Sequence, residues 1–176
     1  MKMYSTRYDS PLGELMLASD GESLTGLWMD GQKYHGSTLF KDIVEKDDLP
    51  VFEKTEKWLN EYFAGNNPPI ADVPLAPIGK KYQQDVWKML CDIPYGTTTS
   101  YGKIKNKIIE IPGNERMTSR LVGSAVGHNP ISIIIPCHRV VGFDGNLTGY
   151  AGGLDRKVLL LDLEGADISR LYRPKY

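Results

Sequence analysis

Residues 129–157 read "NPISIIIPCHRVVGFDGNLTGYAGGLDRK". An isoleucine-rich run stops at Pro136, and Cys137 and His138 follow at once. Residues 131–135 are expected to form a short buried strand that delivers Cys137 to its end. A thiolate is a strong nucleophile, and a neighbouring histidine can act as its base or counter-charge. The bland alternative is an inert core thiol. Cys137 and His138 alone are too few ligands for a metal. The glycines at 142, 145, 149, 152 and 153 permit sharp turns and close approach of main chain to a flat ligand.

Upstream, "KKYQQDVWKMLCDIP" places Tyr82, Val86, Met89, Leu90 and Ile93 on one helical face, stopped by Pro94. "SYGKIKNKIIEI" offers Tyr101, Ile104 and Ile108 as a second amphipathic helix, and "RMTSRLVGSAVGHN" makes a third. Three short helices in series suggest a helix-turn-helix-like domain. Leu121, Val122, Ala125 and Val126 suit the core face of the third helix. Its other face carries Arg120, Gly123, Ser124 and Gly127, one long cation followed by almost no side chain. Each glycine costs about 1 kcal/mol against alanine there. Such a face suits either tight packing within the protein or entry into a nucleic-acid groove, with Arg120 probing the base stack. Lys103, Lys105, Lys107 and Arg116 either neutralise phosphates or form a solvated helix face. Downstream, "LDRKVLLLDLEG" is a last helix ended by Gly165. Glu164 stands at its C-terminal end, where the helix dipole disfavours an acid. It is either a solvated surface residue or the partner of His138.

The N-terminal part differs. "GELMLASDGESLTGLWMDG" reads as strands joined at Asp20-Gly21. "VFEKTEKWLNEYFAG" repeats Phe52, Thr55, Trp58, Leu59, Tyr62 and Phe63 at helical spacing. "GNNPPIADVPLAPIG", residues 65–79, reads as a linker. Two domains follow, an α+β domain over 1–76 and a helical domain over 77–176. Residues 1–76 hold 7 Lys/Arg against 13 Asp/Glu, a net −6, whereas residues 77–176 hold 14 against 9, a net +5. A polyanion is drawn to the second half. Two cysteines, at 91 and 137, exclude a disulfide framework and suggest a reducing compartment. No apolar run approaches the roughly 20 residues of a membrane helix, and the start shows no signal-peptide pattern. An intracellular location is therefore expected, cytoplasmic or, in a eukaryote, nuclear, with no membrane association.

These motifs resemble the O6-alkylguanine-DNA alkyltransferase family, the methylated-DNA–protein-cysteine methyltransferases. "IPCHRV" matches the family's active-site motif, and the resemblance extends through "IPYGTTTSY", "RLVGSAVGHNPISIIIPCHRVVG" and "LTGYAGGLDRKVLLLDLEG". It reaches back to "NEYFAGN" and "DSPLGELMLASDGESLTGL". It implies a two-domain α/β (α+β) fold: an N-terminal ribonuclease-H-like domain and a C-terminal winged-helix, helix-turn-helix-like domain. It also implies single-turnover repair of O6-alkylguanine in double-stranded DNA, with O4-alkylthymine a further candidate, by a monomer without cofactor.

The resemblance assigns roles residue by residue. Cys137 accepts the alkyl group, His138 relays its proton through a water, and Glu164 holds His138. Asn129 orders the active-site turn. Arg120 replaces the flipped nucleotide in the stack, and Tyr101 presses on the phosphate and bonds the base. The carbonyls of Cys137 and Val140 and the N–H of Ala151 read the guanine edges, while Tyr150 and Val126 line the pocket. Gly123 and Ser124 lie on the DNA-facing helix. The turn "KIIEIPGNERM" is longer than the family's usual one, and Ala151 stands where some members have serine. Some members carry zinc in the first domain; here no cysteine precedes position 91 and His35 is the only histidine there, so no metal is expected. The rival functions are a binding-only lesion-recognition relative, in which the cysteine is replaced, and a Cys-His hydrolase.

Overall fold

Met3–Ser10 (β1), Gly13–Ser19 (β2) and Leu24–Met29 (β3) form an antiparallel meander, and Ile43–Glu45 (β4) joins β1 in parallel to give the order β3-β2-β1-β4. This is a computed structural model, and it describes residues 1–175. The Asp20-Gly21 turn joins β2 to β3 as expected: Asp20 accepts from the N–H groups of Glu22 and Ser23, and Gly21 takes φ +108°. β1 is a strand that apolar patterning does not announce. Its buried side chains include Ser5 and Thr6 beside Met3, so small hydroxyl residues stand where apolar ones signal a core face.

Pro50–Phe63 (α1) packs on β1, β2 and β3. Pro50 occupies the first helical turn, where a missing N–H costs nothing. The inward face is Val51, Phe52, Thr55, Trp58, Leu59 and Tyr62. The buried Thr55 hydroxyl is satisfied by donating to the Val51 carbonyl at 2.7 Å. The Pro-rich segment after α1 is more than a linker. Trp58 donates from Nε1 to the Pro69 carbonyl, and Leu75 bridges to Leu24 at the free edge of β3.

The isoleucine run is a correction to the sequence reading. Residues 131–135 form no strand; Ile131 makes an isolated bridge to Leu27 on the edge of β3. The chain then folds back because Ile133 takes φ +72°, with Ile134 N–H donating to the Ser132 carbonyl across it. This is γ-turn geometry, strained for a β-branched residue. Residues 130–134 belong to the same compact unit as residues 1–78, and the second unit comprises residues 79–129 and 135 onward. The expected boundary near residue 76 lies close to Ile78, but the first unit borrows this later segment.

The second unit is built on Lys81–Leu90 (α2), Tyr101–Ile108 (α3), Ser119–Gly127 (α4) and Leu154–Leu163 (α5). α2 packs on both α3 and α4, and α3 packs on α4. Trp87 is buried between α2 and α4 and donates from Nε1 to the Ala125 carbonyl at 2.7 Å. Gly79 permits this seat, since a Cβ there would stand 2.3 Å from the indole. Ser100 and Thr118 cap α3 and α4 by accepting from Lys103 N–H and Leu121 N–H. The long α3–α4 connection is anchored by buried Asn114, which donates to Asp85 of α2 at 2.8 Å. Thr99–Ser100 (β5) pairs in parallel with Val140–Val141 (β6). One expectation fails in α4: Leu121, assigned to the core, is 41% exposed, while Val122, Ala125 and Val126 are buried.

Candidate active site

Pro136 sets the local geometry of Cys137. Its φ of −82° and ψ of 63° form an inverse γ-turn, with Cys137 N–H donating to the Ile135 carbonyl at 2.8 Å. Asn129 Nδ2 donates to the same carbonyl at 2.8 Å, so its amide holds the turn. Cys137, His138 and Arg139 then form one turn of 3-10 helix. Cys137 is 5% exposed. Burial raises its pKa, opposed by the hydrogen bond from Asn129 and by the charge of Lys157. The resting sulfur is thus a thiol, and it needs a base.

His138, next in the chain, is the candidate. It is fully buried, and its Nε2 lies 2.6 Å from Glu164 Oε1. Burial would raise the Glu164 pKa, but hydrogen bonds from His138 and Arg139 outweigh it and hold the carboxyl at about 2. A carboxylate only accepts, so the Nε2 carries the imidazole proton. Burial lowers the His138 pKa despite Glu164, which keeps the ring neutral. The Nδ1 lone pair therefore faces inward, with no hydrogen-bond partner among the described residues. A buried acceptor left open is costly.

Glu164 is pinned from several sides. Arg139 donates to both carboxylate oxygens at 2.9 Å and to the Ile93 carbonyl at 2.7 Å, and Gly96 N–H donates to Oε2 at 3.3 Å. The Arg139 guanidinium also lies over the Tyr95 ring, 5.6 Å from its centre. The anomaly of an acid at the C-terminal end of α5 is resolved by these donors.

Arg139 and Lys157 are functional candidates that the sequence reading missed. Lys157 is fully buried, donates to the Val140 carbonyl at 2.6 Å and lies over the Tyr150 ring. Burial lowers its pKa to about 8, opposed by attraction to Cys137. The signal was in the sequence. Lys157, Leu160, Leu161 and Glu164 fall on one stripe of α5, so two ionisable groups share its apolar face.

Tyr101 begins α3, and its hydroxyl donates to the Thr148 carbonyl at 3.1 Å. Burial, then the proximity of Cys137, pushes its pKa up to about 12, so it keeps its proton at neutral pH. Gly149 makes room for it; a Cβ there would stand 2.9 Å from that oxygen. Tyr150 is buried, its hydroxyl unpartnered among the described residues, and Ala151 beside it is half-buried. Val126 and Val140 are buried. Arg120 and Ser124 are exposed on α4, and Gly123 and Gly127 are half-buried there. A Cβ at Gly123 or Gly127 would meet nothing within 4 Å. Neither glycine has positive φ, so neither packing within the protein nor backbone conformation requires them. Among the described residues no cluster of three His, Cys, Asp or Glu is placed to hold a metal ion, and no helix is long and apolar enough to cross a membrane.

Comparison with known proteins bears on this geometry. The DNA-binding domain profile of the 6-O-methylguanine DNA methyltransferases matches residues 81–166, and the ribonuclease-like domain profile of the same family matches residues 3–77. The methylated-DNA–protein-cysteine methyltransferase of Haemophilus influenzae is 42% identical over 162 residues, covering 92% of this chain and 86% of that protein. The protein of the same name from Methanosarcina acetivorans is 44% identical over 165 residues, covering 93% and 99%. A crystal structure of Mycobacterium tuberculosis OGT in complex with DNA matches at a TM-score of 0.77 and 44% identity, covering 97% of this chain and 95% of that one. The mixed α+β architecture and the resemblance of the "IPCHRV" motif agree with these matches, and the chain belongs to the 6-O-methylguanine DNA methyltransferase family.

Proposed function

We propose that this chain repairs DNA by moving the alkyl group of O6-alkylguanine onto Cys137, once per molecule and as a monomer. The observation that carries the reading is the buried His138–Glu164 pair that follows Cys137 in the chain. Neutral His138 has its Nε2–H fixed on an ionised Glu164 and its Nδ1 open.

The thiol proton passes through an intervening water to Nδ1, and the imidazolium formed is stabilised by Glu164. The thiolate attacks the alkyl carbon, the carbon–oxygen bond breaks, and its electron pair leaves with guanine. Tyr101, turning its single O–H from the Thr148 carbonyl, donates a hydrogen bond to the developing charge on the purine, and guanine is restored with one proton overall from the thiol. The product is a thioether, which water does not readily cleave. Asn129 and Lys157 both favour the thiolate, and Lys157 also fixes the Val140 carbonyl that reads the guanine edge. The Cys137 carbonyl and Ala151 N–H complete that reading, and Tyr150 and Val126 bound the pocket.

The target sits inside a duplex and must leave the stack, at a cost of a few kcal/mol. α4 is suited to enter a minor groove, because Gly123, Ser124 and Gly127 leave its backbone bare while Arg120 is free to fill the gap in the stack. The family's recorded partner, DNA, fits the net +5 of residues 77–176. A free, reactive thiol also fits an intracellular, reducing setting, cytoplasmic or nuclear.

Incubation of the protein with excess O6-methylguanine duplex should consume one equivalent of lesion and stop. Continued turnover on a simple ester, with no salt-sensitive DNA binding, would favour the hydrolase. Tight lesion binding without consumption would favour a binding-only protein, although Cys137 is present here.

A further inference from the structure

Phe143 is 93% exposed, more than any other large apolar side chain among the described residues. A lone surface hydrophobe needs no explanation, but this one is held out by a braced turn. Gly142 N–H donates to the Asn146 carbonyl at 2.7 Å, and Gly145 N–H donates to the Gly142 carbonyl at 2.9 Å. The C-terminal segment ties the turn from below: Tyr172 N–H donates to the Gly145 carbonyl, and the Tyr172 hydroxyl bonds Asp144. Gly145, at φ +92°, lies so close to the Arg170 carbonyl that a Cβ would approach it to 2.3 Å. The fold spends several hydrogen bonds and an obligatory glycine on keeping an aromatic ring in water.

The ring borders a groove of about 410 Å3, lined also by Thr98, Thr99, Ser100, Lys103 and Arg170. Neither Lys103 nor Arg170 forms an ion pair among the described residues. The acid of the groove, Asp144, is engaged by Tyr172 and by Asn146 N–H. Asp167, held by Ser169, also senses Arg170. Thr99 and Ser100 of β5 and Val141 of β6 line the groove; β5 leads into Tyr101, and β6 leads out of the Cys137 turn toward Phe143. Ser100 is followed by Tyr101, and Val140 is the residue whose carbonyl Lys157 holds.

An aromatic face beside cations and hydroxyls is the chemistry that takes an unstacked nucleotide. A single ring among charged neighbours is not the broad apolar patch that a second copy of the chain would need. We propose that this groove holds a nucleotide flanking the lesion in the same strand, its base stacked on Phe143 and its phosphate between Lys103 and Arg170. This rests on the alkyl-transfer reading above and extends it beyond the flipped guanine.

The test compares Phe143→Ala and Phe143→Trp with the unaltered protein on two substrates, O6-methylguanine duplex and free O6-benzylguanine. Phe143→Ala should weaken duplex binding about 5- to 50-fold and leave transfer from the free base intact, and Phe143→Trp should retain both. An abasic residue walked along the lesion strand should abolish the Phe143→Ala penalty at one flanking position. Lys103→Gln should lower the salt dependence of binding by about one phosphate contact. Unchanged duplex affinity in Phe143→Ala overturns the proposal. So does a penalty indifferent to the abasic position, or an effect confined to self-association in sedimentation. Failure of the unaltered protein to take the methyl group from the O6-methylguanine duplex would instead count against the alkyl-transfer chemistry itself.

Discussion

His138 is held neutral by burial, and Glu164 is held ionised by the donors around it, so the pair carries a proton gap of a defined sense. Both folded-state pKa values lie below their unfolded ones. The unfolded chain therefore binds more protons, and stability is lost on acidification. Loss should begin as pH falls below about 6.5, where unfolded histidine charges. It should steepen below 4.5, toward the folded Glu164 value of about 2. Urea denaturation across pH reads this, and Glu164→Gln should remove the steeper limb. That variant also leaves Arg139 buried without its counter-charge, a loss of about 3 kcal/mol or more. Its transfer rate should fall by about 100-fold or more if the relay acts as a general base. An unchanged rate would remove Glu164 from the relay. Lys157 behaves in the opposite way at neutral pH, because burying its charge opposes folding. With a folded pKa of about 8 against 10.5, Lys157→Met should match or exceed the unaltered protein in stability near pH 7. It should also lack the stability gained between pH 8 and 10. Its transfer should be slower, since the thiolate loses a cation and the Val140 carbonyl its donor.

At the scale of elements, α4 is the part whose sequence cost is unexplained within the chain. Gly123 and Gly127 make no close contact that a Cβ would disturb, so Gly123→Ala should stabilise the fold by up to about 1 kcal/mol. If α4 enters a groove, the same change should weaken duplex binding; unchanged binding would contradict it. Arg120→Ala should slow repair of duplex more than of free base, and equal loss on both would make Arg120 structural. The helices were legible because their apolar residues recur at helical spacing and stop signals such as Pro94 and Gly165 end them. The isoleucine run was not. Five residues of strand composition contain a γ-turn at Ile133, a conformation that β-branched side chains avoid. The candidate residues Cys137 and His138 stand out in the motif and Glu164 as the misplaced acid on α5, and the structure pairs His138 with Glu164. Lys157 was passed over although it shares the apolar stripe of α5 with Leu160 and Leu161, and Arg139 because a buried cation there looks, in sequence, like a surface one.

For the whole molecule, the charge asymmetry and the Pro-rich stretch suggest a division near residue 76, but nothing in them suggests the return of residues 130–134 to the first unit. That return depends on pairing with the edge of β3, a contact between residues about a hundred positions apart that no local pattern encodes. A buried acceptor sulfur also has a consequence for the spent protein. Cys137 is only 5% exposed, and an added methyl group that overpacks such a site should cost about 1–3 kcal/mol, read as a lower Tm of the alkylated form. The central claim, that Cys137 takes and keeps the alkyl group, is tested most directly by intact-mass spectrometry with peptide mapping after exposure to O6-methylguanine duplex. One methyl group per chain, on the Cys137 peptide and persistent after the DNA is removed, is the predicted result. An unmodified chain beside repaired DNA, or a methyl group on Cys91 instead, would contradict it.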